Sequence, residues 1–371
     1  MKSNYRYIVK AFMAMAVIAG TTSCDDFLDR EPMSSISPET YYSTAAQLEA
    51  NLNDEYPNVL PSFGQWTYGI FGEDKGTDNQ IEVNANDRYT QDRWKVPHSE
   101  SDNWKFERIY RINFFLSEAL PKFGEDMSGS QNTISGSVAT IKHYIGEMYF
   151  LRAYEYFKKL QLFGDFPIIN QPLADEMEAL REASKRFPRN EVARFIISDL
   201  DKAYAYMSDV DMATTRINKD VAMLVKSRVA LFEATWLQNF KGTAFVPGGE
   251  GWPGASLHNN YQYPSGNIDN EVKYFLEQAV EASKLVADKY KGSLTENTGV
   301  LQQSADDPSN PYFDMFAQED LSDVKEVLLW RQYARGLSTH NINAAAGRGN
   351  YRIGLTRGFV QNFLMMDGTA V

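Results

Sequence analysis

Apolar residues recur at helical spacing in several separate stretches of the chain. The strongest pattern lies in IKHYIGEMYFLRAYEYFKKLQLFGDFP, which starts at Ile141 and ends at the stop signals Gly164 and Pro167. Because aromatic residues such as Tyr149 and Phe150 occupy other faces of this helix, we expect neighbouring elements on several sides. Its predicted core stripe consists of Ile141, Tyr144, Ile145, Met148, Arg152, Glu155 and Lys159.

The same spacing predicts further helices on both sides of this one. One covers residues 102–120, and another lies in NEVARFIISDLDKAYAYM. Asn218 is a predicted cap of a helix with the stripe Val221, Val225, Val229, Phe232 and Trp236. Asp269 is a predicted cap of a helix with the stripe Val272, Phe275, Leu276, Ala279, Val280, Ser283, Val286 and Ala287. Paired amphipathic helices resemble tetratricopeptide-type stacking, without a clean repeat here, so we predict a mainly α fold with few short strands.

Long polar and aromatic loops separate these helices. They span residues 63–101 and 239–266, and loops of such length are uncommon unless they are functional. Sugar rings pack on exposed aromatic planes, and their hydroxyls bond to polar side chains. The predicted ligand contacts are therefore Trp66, Tyr68, Arg88, Tyr89, Trp94, Trp252, Tyr261 and Tyr263. The predicted core aromatics are Trp104, Tyr149, Phe150 and Trp236.

The only cysteine of the chain follows a segment typical of export signals. Basic residues precede the apolar run 11–20, and small residues lead to Cys24. We predict a signal peptide over residues 1–23 and a lipid on Cys24, although Thr21 stands where lipoprotein signals carry a larger aliphatic residue. The alternative is an ordinary signal peptide with a buried cysteine. One cysteine excludes an intramolecular disulfide.

Charge and motif spacing exclude other classes of function. The net charge is −12, and removal of residues 1–23, with three basic and no acidic residues, leaves −15, so nucleic acid is not an expected partner. The four histidines lack metal-ligand spacing, and GRGNYRIG lacks the context of a dinucleotide site. We therefore predict no catalysis, no metal and no cofactor. The carboxylate pairs Glu73/Asp74, Asp209/Asp211 and Asp306/Asp307 are interpreted as solvated surface.

A family resemblance runs through nearly the whole chain. CDDFLDREPMSSISPETYY, FERIYRIN, GEMYFLRAYEYFKKLQLFGDFPI, EVARFIISDLDKA, TRINKDVAMLVKSRVALF, YFDMFAQEDLSDVKEVLLWRQY and GFVQNFLMMDG follow one another in the order found in the SusD/RagB family. The chain resembles these outer-membrane nutrient-binding lipoproteins. The resemblance implies a SusD-like fold, with an N-terminal helical domain over 24–240 and the start of a RagB/SusD domain over 241–371. Because such chains usually continue past the MMDG segment, we expect this sequence to be truncated at Val371.

The resemblance also implies a function. Members of the family lie on the cell surface, capture glycans or, in some branches, peptides, and pass them to a SusC-like TonB-dependent transporter. They are not known as enzymes. The expected function is therefore glycan capture by a surface-exposed, lipid-anchored outer-membrane protein. A peptide receptor of the same family, a periplasmic helical scaffold for protein binding and a lipid-anchored glycosidase remain as alternatives.

Overall fold

The computed structural model describes residues 41–61, 74–81, 103–124, 126–207, 212–300, 304, 306–334, 336, 339–340, 354–365 and 367–369. These residues form a mainly α structure, which confirms the predicted fold class. The helices are α1 (Ala45–Val59), α2 (Glu107–Phe123), α3 (Val138–Phe163), α4 (Met177–Ala183), α5 (Arg189–Tyr206), α6 (Lys219–Asn239), α7 (Ile268–Tyr290), α8 (Pro311–Met315) and α9 (Arg357–Val360). No helix among them is both long and apolar enough to cross a membrane.

The central element of the core is helix α3. The side chain of Ser137 caps its N-terminus, and Gly164, at φ 69°, ends it by donating its N–H to the carbonyl of Leu160. Helices α1, α2 and α5 pack around α3, and every residue of its predicted core stripe is buried. Tyr149 and Phe150 on its other faces are also buried, which confirms contact on several sides.

Helix α3 lies against the C-terminal end of α5 at Gly146. A Cβ atom added there would lie 2.7 Å from Cγ of Met207 and 2.8 Å from its backbone nitrogen. Glycine at this position therefore lets the two backbones meet.

Two buried charges of α3, Arg152 and Glu147, are paired with charges on neighbouring segments. Arg152 donates to both carboxylate oxygens of Asp199, at 2.6 and 2.8 Å. Glu147 accepts from Arg216 at 3.0 and 2.8 Å and from the hydroxyl of Tyr56 at 2.6 Å. Because unpaired charges are costly to bury, these bonds fix the positions of α1, α3, α5 and the segment before α6.

Helices α5, α6 and α7 pack in chain order, α5 on α6 and α6 on α7. The side chain of Asn218 accepts from two backbone N–H groups and caps α6 as predicted. The prediction for α7 was wrong in one respect, because Asn267 is the cap and Asp269 lies in the first turn. Asp269 instead pairs with Lys241.

The buried stripe of α7 is narrower than predicted. Phe275, Ala279 and Val286 are buried, but Leu276 is 37% and Val280 63% exposed, and Ala287 is also exposed. The reason is that α6 is the main neighbour of α7 among the described residues, and it covers only one side.

The strands are short, as expected. Gln80–Ile81 (β1) pairs antiparallel with Gly354–Leu355 (β2), with Gln80 opposite Leu355. The helix predicted over 102–120 begins at Glu107 and extends to Phe123, while Asp102 lies outside the described residues. The domain boundaries stay a prediction.

Candidate functional site

The segment between α6 and α7, here called the 240–266 loop, is closed by its own hydrogen bonds. The backbone N–H of Glu250 donates to the carbonyl of Gly242 at 3.2 Å. A short 3₁₀ helix, Pro253–Ser256, follows. The hydroxyl of Tyr263 donates back to the carbonyl of Pro247 at 2.7 Å. The loop therefore has a defined conformation although it contains no α-helix or strand.

Trp252 lies inside this loop rather than on its surface. Its side chain is 5% exposed, and its indole N–H donates to Oδ2 of Asp165 at 2.7 Å. A Cβ at Gly254 would lie 2.2 Å from the indole ring, so only glycine fits against it. The expectation that Trp252 is exposed was wrong, because a buried carboxylate satisfies the polar atom of the indole and allows the ring to be enclosed.

Asp165 connects the loop to helix α5. Besides the indole of Trp252, its carboxylate accepts the backbone N–H of Arg189, the first residue of α5, at 2.9 Å. Burial raises the pKa of Asp165 above its ordinary value, while these two hydrogen bonds oppose the shift. Both carboxylate oxygens are thus bonded to the protein.

Tyr261 and Tyr263 are half-buried, and their hydroxyls act as anchors. The hydroxyl of Tyr261 exchanges hydrogen bonds with the side-chain amide of Asn190, at 2.9 and 3.1 Å. The two tyrosine rings meet edge to face with centroids 5.2 Å apart. Burial raises the pKa of both hydroxyls, so they remain protonated donors at neutral pH.

Two ion pairs whose carboxylates are fully buried lie beneath the loop and stabilise it. Arg189 donates to Glu233 at 2.9 to 3.2 Å, and Arg194 donates to Glu271 at 2.7 and 2.8 Å. The guanidinium of Arg189 also lies 4.1 Å from the ring centroid of Trp236. Trp236 is half-buried against the core, as is Trp104, which agrees with their predicted packing role.

His258 and Phe187 form part of the outer surface of this arrangement. The ring of His258 stacks on Trp252 with centroids 6.0 Å apart and contacts Phe187 at 6.5 Å. Asn259 and Asn260, the next two residues, are exposed. We call His258, Phe187, Asn259 and Asn260 the His258 face. Sequence reasoning missed these residues, although the position of His258 between two loop aromatics was a signal for it.

Arg186 contacts both His258 and Trp104 at this face. Nε2–H of His258 donates to the carbonyl of Arg186 at 2.8 Å, which leaves Nδ1 of the neutral ring as an acceptor. The guanidinium of Arg186 lies 4.6 Å from the ring centroid of Trp104, which closely follows the first loop. A backbone pairing between Phe166 and Phe187 fixes this segment.

The other predicted contacts cannot be placed in this arrangement. Trp66, Tyr68, Arg88, Tyr89 and Trp94 lie outside the described residues, as does Cys24.

The part of the chain that the structure describes offers no metal site. It contains no group of histidine, cysteine and carboxylate side chains that could hold a metal ion. Of the three predicted carboxylate pairs, Asp306/Asp307 is wholly described, and its side chains are exposed and half-buried. The rings and side-chain amides of the His258 face can bind a ligand by stacking and hydrogen bonding.

Comparison with known proteins agrees with this architecture. A family model described as "Starch-binding associating with outer membrane" matches residues 26–231, more than half of the chain. The chain belongs to the SusD-like family.

SusD-like relatives are similar in sequence and in fold. SusD-like protein P2 of Formosa agariphila is 25% identical over 65% of this chain and 46% of its own length. The chain spans less than half the length of the curated relatives it matches. A SusD-like protein of Bacteroides fragilis aligns with a TM-score of 0.56 at 19% identity, covering 92% of this chain and 57% of that one. A SusD-like carbohydrate-binding protein of the same species aligns with a TM-score of 0.54 at 14% identity, covering 90% and 55%.

Proposed function

We propose that the protein is a glycan receptor of the cell surface, which captures oligosaccharides and delivers them to a SusC-like TonB-dependent transporter. Membership in a starch-binding, outer-membrane family supports the ligand class and the location. The observation that carries the proposal is the contact of Arg186 with both His258 and Trp104, since it adds a further aromatic ring beside the His258 face.

The chemistry of the His258 face suits a sugar. The rings of His258 and Phe187 offer planes for the C–H faces of a pyranose, and Nδ1 of His258 accepts from a hydroxyl. The exposed amides of Asn259 and Asn260 both donate and accept. The ring of Trp252 packs against the inner side of His258. The rings of Tyr261 and Tyr263 are half-buried, so part of each remains accessible to a ligand.

We propose binding without hydrolysis. Glycoside hydrolysis requires two carboxyl groups on either side of the scissile bond. Asp165, the carboxylate that bonds to Trp252, already accepts from its indole and from the backbone of Arg189. Both oxygens of Asp165 therefore accept hydrogen bonds that hold the loop, and neither is free to act on a glycosidic bond. This favours a receptor over a glycosidase.

The test is a binding assay with the lipid-free protein. We expect the chain to bind a malto-oligosaccharide or another glycan of an array, measured by calorimetry, and to release no reducing ends. His258→Ala should weaken binding about five-fold, the loss expected for one stacking contact. His340→Ala is the matched control, because His340 is an exposed histidine packed against Tyr333 outside the loop.

Other outcomes would overturn parts of the proposal. Binding of peptides without any glycan would favour the peptide-binding branch of the family. New reducing ends would contradict a non-catalytic receptor. Equal affinity of His258→Ala and the unaltered protein would show that the His258 face does not contact the glycan.

A further inference from the structure

The 240–266 loop exposes a phenylalanine next to a deeply buried valine. Val246 is 1% exposed and belongs to the hydrophobic core, whereas Phe245, its neighbour, is 60% exposed. Because Val246 fixes the chain at this point, Phe245 cannot turn inward without withdrawing Val246 from the core. The outward position of the phenylalanine is thus set by the fold of the loop.

Hydrogen bonds on both sides hold the backbone of Phe245. The indole N–H of Trp236 donates to the carbonyl of Phe245 at 3.0 Å. The backbone N–H of Phe245 donates to the hydroxyl of Thr243 at 3.3 Å. A side chain on a backbone that is already held loses less conformational entropy when a ligand stacks on it.

The ring of Phe245 is the outermost member of a series of aromatic contacts. It meets Phe240 edge to face at 5.4 Å, and Phe240 meets Trp236 at 4.5 Å. Phe240 and Trp236 are half-buried, and Arg189 lies against the ring of Trp236. We call Phe245, Phe240 and Trp236 the Phe245 platform.

Charged groups that can bond to hydroxyls lie beside this platform. Lys241 follows Phe240 in the chain, and its ammonium group contacts both oxygens of Asp269 at 2.6 and 2.7 Å. The side chains of Lys241 and Asp269 are 52% and 72% exposed, so both remain accessible to a ligand. An aromatic plane edged by exposed charged groups is a typical surface for a sugar ring.

We propose that the Phe245 platform is a second sugar-stacking contact of the same loop, separate from the His258 face. The inference rests on the proposed glycan-receptor function and extends it, because two stacking surfaces on one hydrogen-bonded loop favour extended oligosaccharides over short ones. Each surface contributes a modest amount, and affinity increases when one chain occupies both.

Calorimetry with a series from maltose to maltoheptaose tests this inference on the lipid-free chain. We expect affinity to rise with length in the unaltered protein and the rise to be reduced about three- to ten-fold in Phe245→Ala. Phe245→Tyr should retain the rise, whereas Phe245→Leu, which keeps apolar volume without an aromatic face, should lose it.

The chain provides a matched control in Phe316→Ala. Phe316 is 73% exposed and meets Tyr312 edge to face at 5.2 Å, outside the 240–266 loop. Its replacement should leave the affinities unchanged. If affinity rises with the length of the oligosaccharide equally in the unaltered protein and in Phe245→Ala, the second stacking contact is refuted. The proposed receptor function would still stand in that case. If neither this series nor a glycan array yields binding, the receptor function fails as well.

Discussion

The two carboxylates beneath the 240–266 loop have pKa values that are shifted in opposite directions. Burial raises the pKa of Glu233, and Arg189 opposes this shift without cancelling it. Burial also acts to raise the pKa of Glu271, but hydrogen bonds from Arg194, Asn190 and Ser265 outweigh it, and the net pKa is lowered. The number of donors around each carboxylate thus determines how its charge affects the stability of the fold.

Replacement of Glu271 by glutamine should reveal how much the charge of Glu271 contributes to the free energy of unfolding. A folded-state pKa below the usual glutamate value of 4.5 stabilises the protein above that pH, and the stabilisation is lost as the pH falls through the folded-state pKa. Glu271→Gln should therefore cost about 2 kcal/mol at neutral pH, and the deficit should shrink in acid. Urea unfolding at several pH values measures it. Glu277→Gln, on the exposed side of the same helix, is the control. A deficit that does not depend on pH would contradict the role of the charge.

At the scale of elements, apolar periodicity predicted the helices well where a helix has several neighbours. Helix α3 is enclosed, so every residue of its predicted stripe is buried. Helix α7 has one main neighbour among the described residues, and its apolar pattern was wider than the face it buries. Periodicity identifies the apolar residues, but the number of neighbouring elements decides which of them are covered.

The orientation of the loop aromatics could not be predicted in the same way. Trp252 turns inward because of Asp165, which lies 87 residues earlier, and Tyr261 is fixed by Asn190, which lies 71 residues earlier. Local sequence identified an aromatic loop but contains no information about such distant partners. For the same reason the exposed position of Phe245 depends on where Val246 meets the core.

The contact between α3 and α5 provides a test at this scale. Gly146→Ala would place a Cβ within 2.8 Å of the backbone of Met207, so the two helices must separate. We expect the free energy of unfolding to fall by about 1–3 kcal/mol, as at an overpacked core site, and the melting temperature to fall with it. Gly292→Ala is the control, since a Cβ there meets nothing within 4 Å. Equal melting temperatures of Gly146→Ala and the unaltered protein would show that the helices do not approach this closely.

At the scale of the whole molecule, a receptor that hands its ligand to an outer-membrane transporter has to stay at the membrane. Lipid attachment at Cys24 is part of the proposed function, because a cysteine after an apolar run and small residues is typical of lipoprotein signals.

The single cysteine makes the attachment directly testable in cells. Radiolabelled palmitate should be incorporated into the unaltered protein, which should sediment with outer membranes. Cys24→Ala removes the only thiol, so it should carry no label and should leave the membrane fraction. Ser23→Ala is the matched control, because it keeps a small residue before the cysteine and should still be labelled. Label that persists in Cys24→Ala would exclude this cysteine as the lipid site. An unlabelled but membrane-bound Cys24→Ala protein would show that the transporter or another partner, rather than the lipid, retains it at the surface.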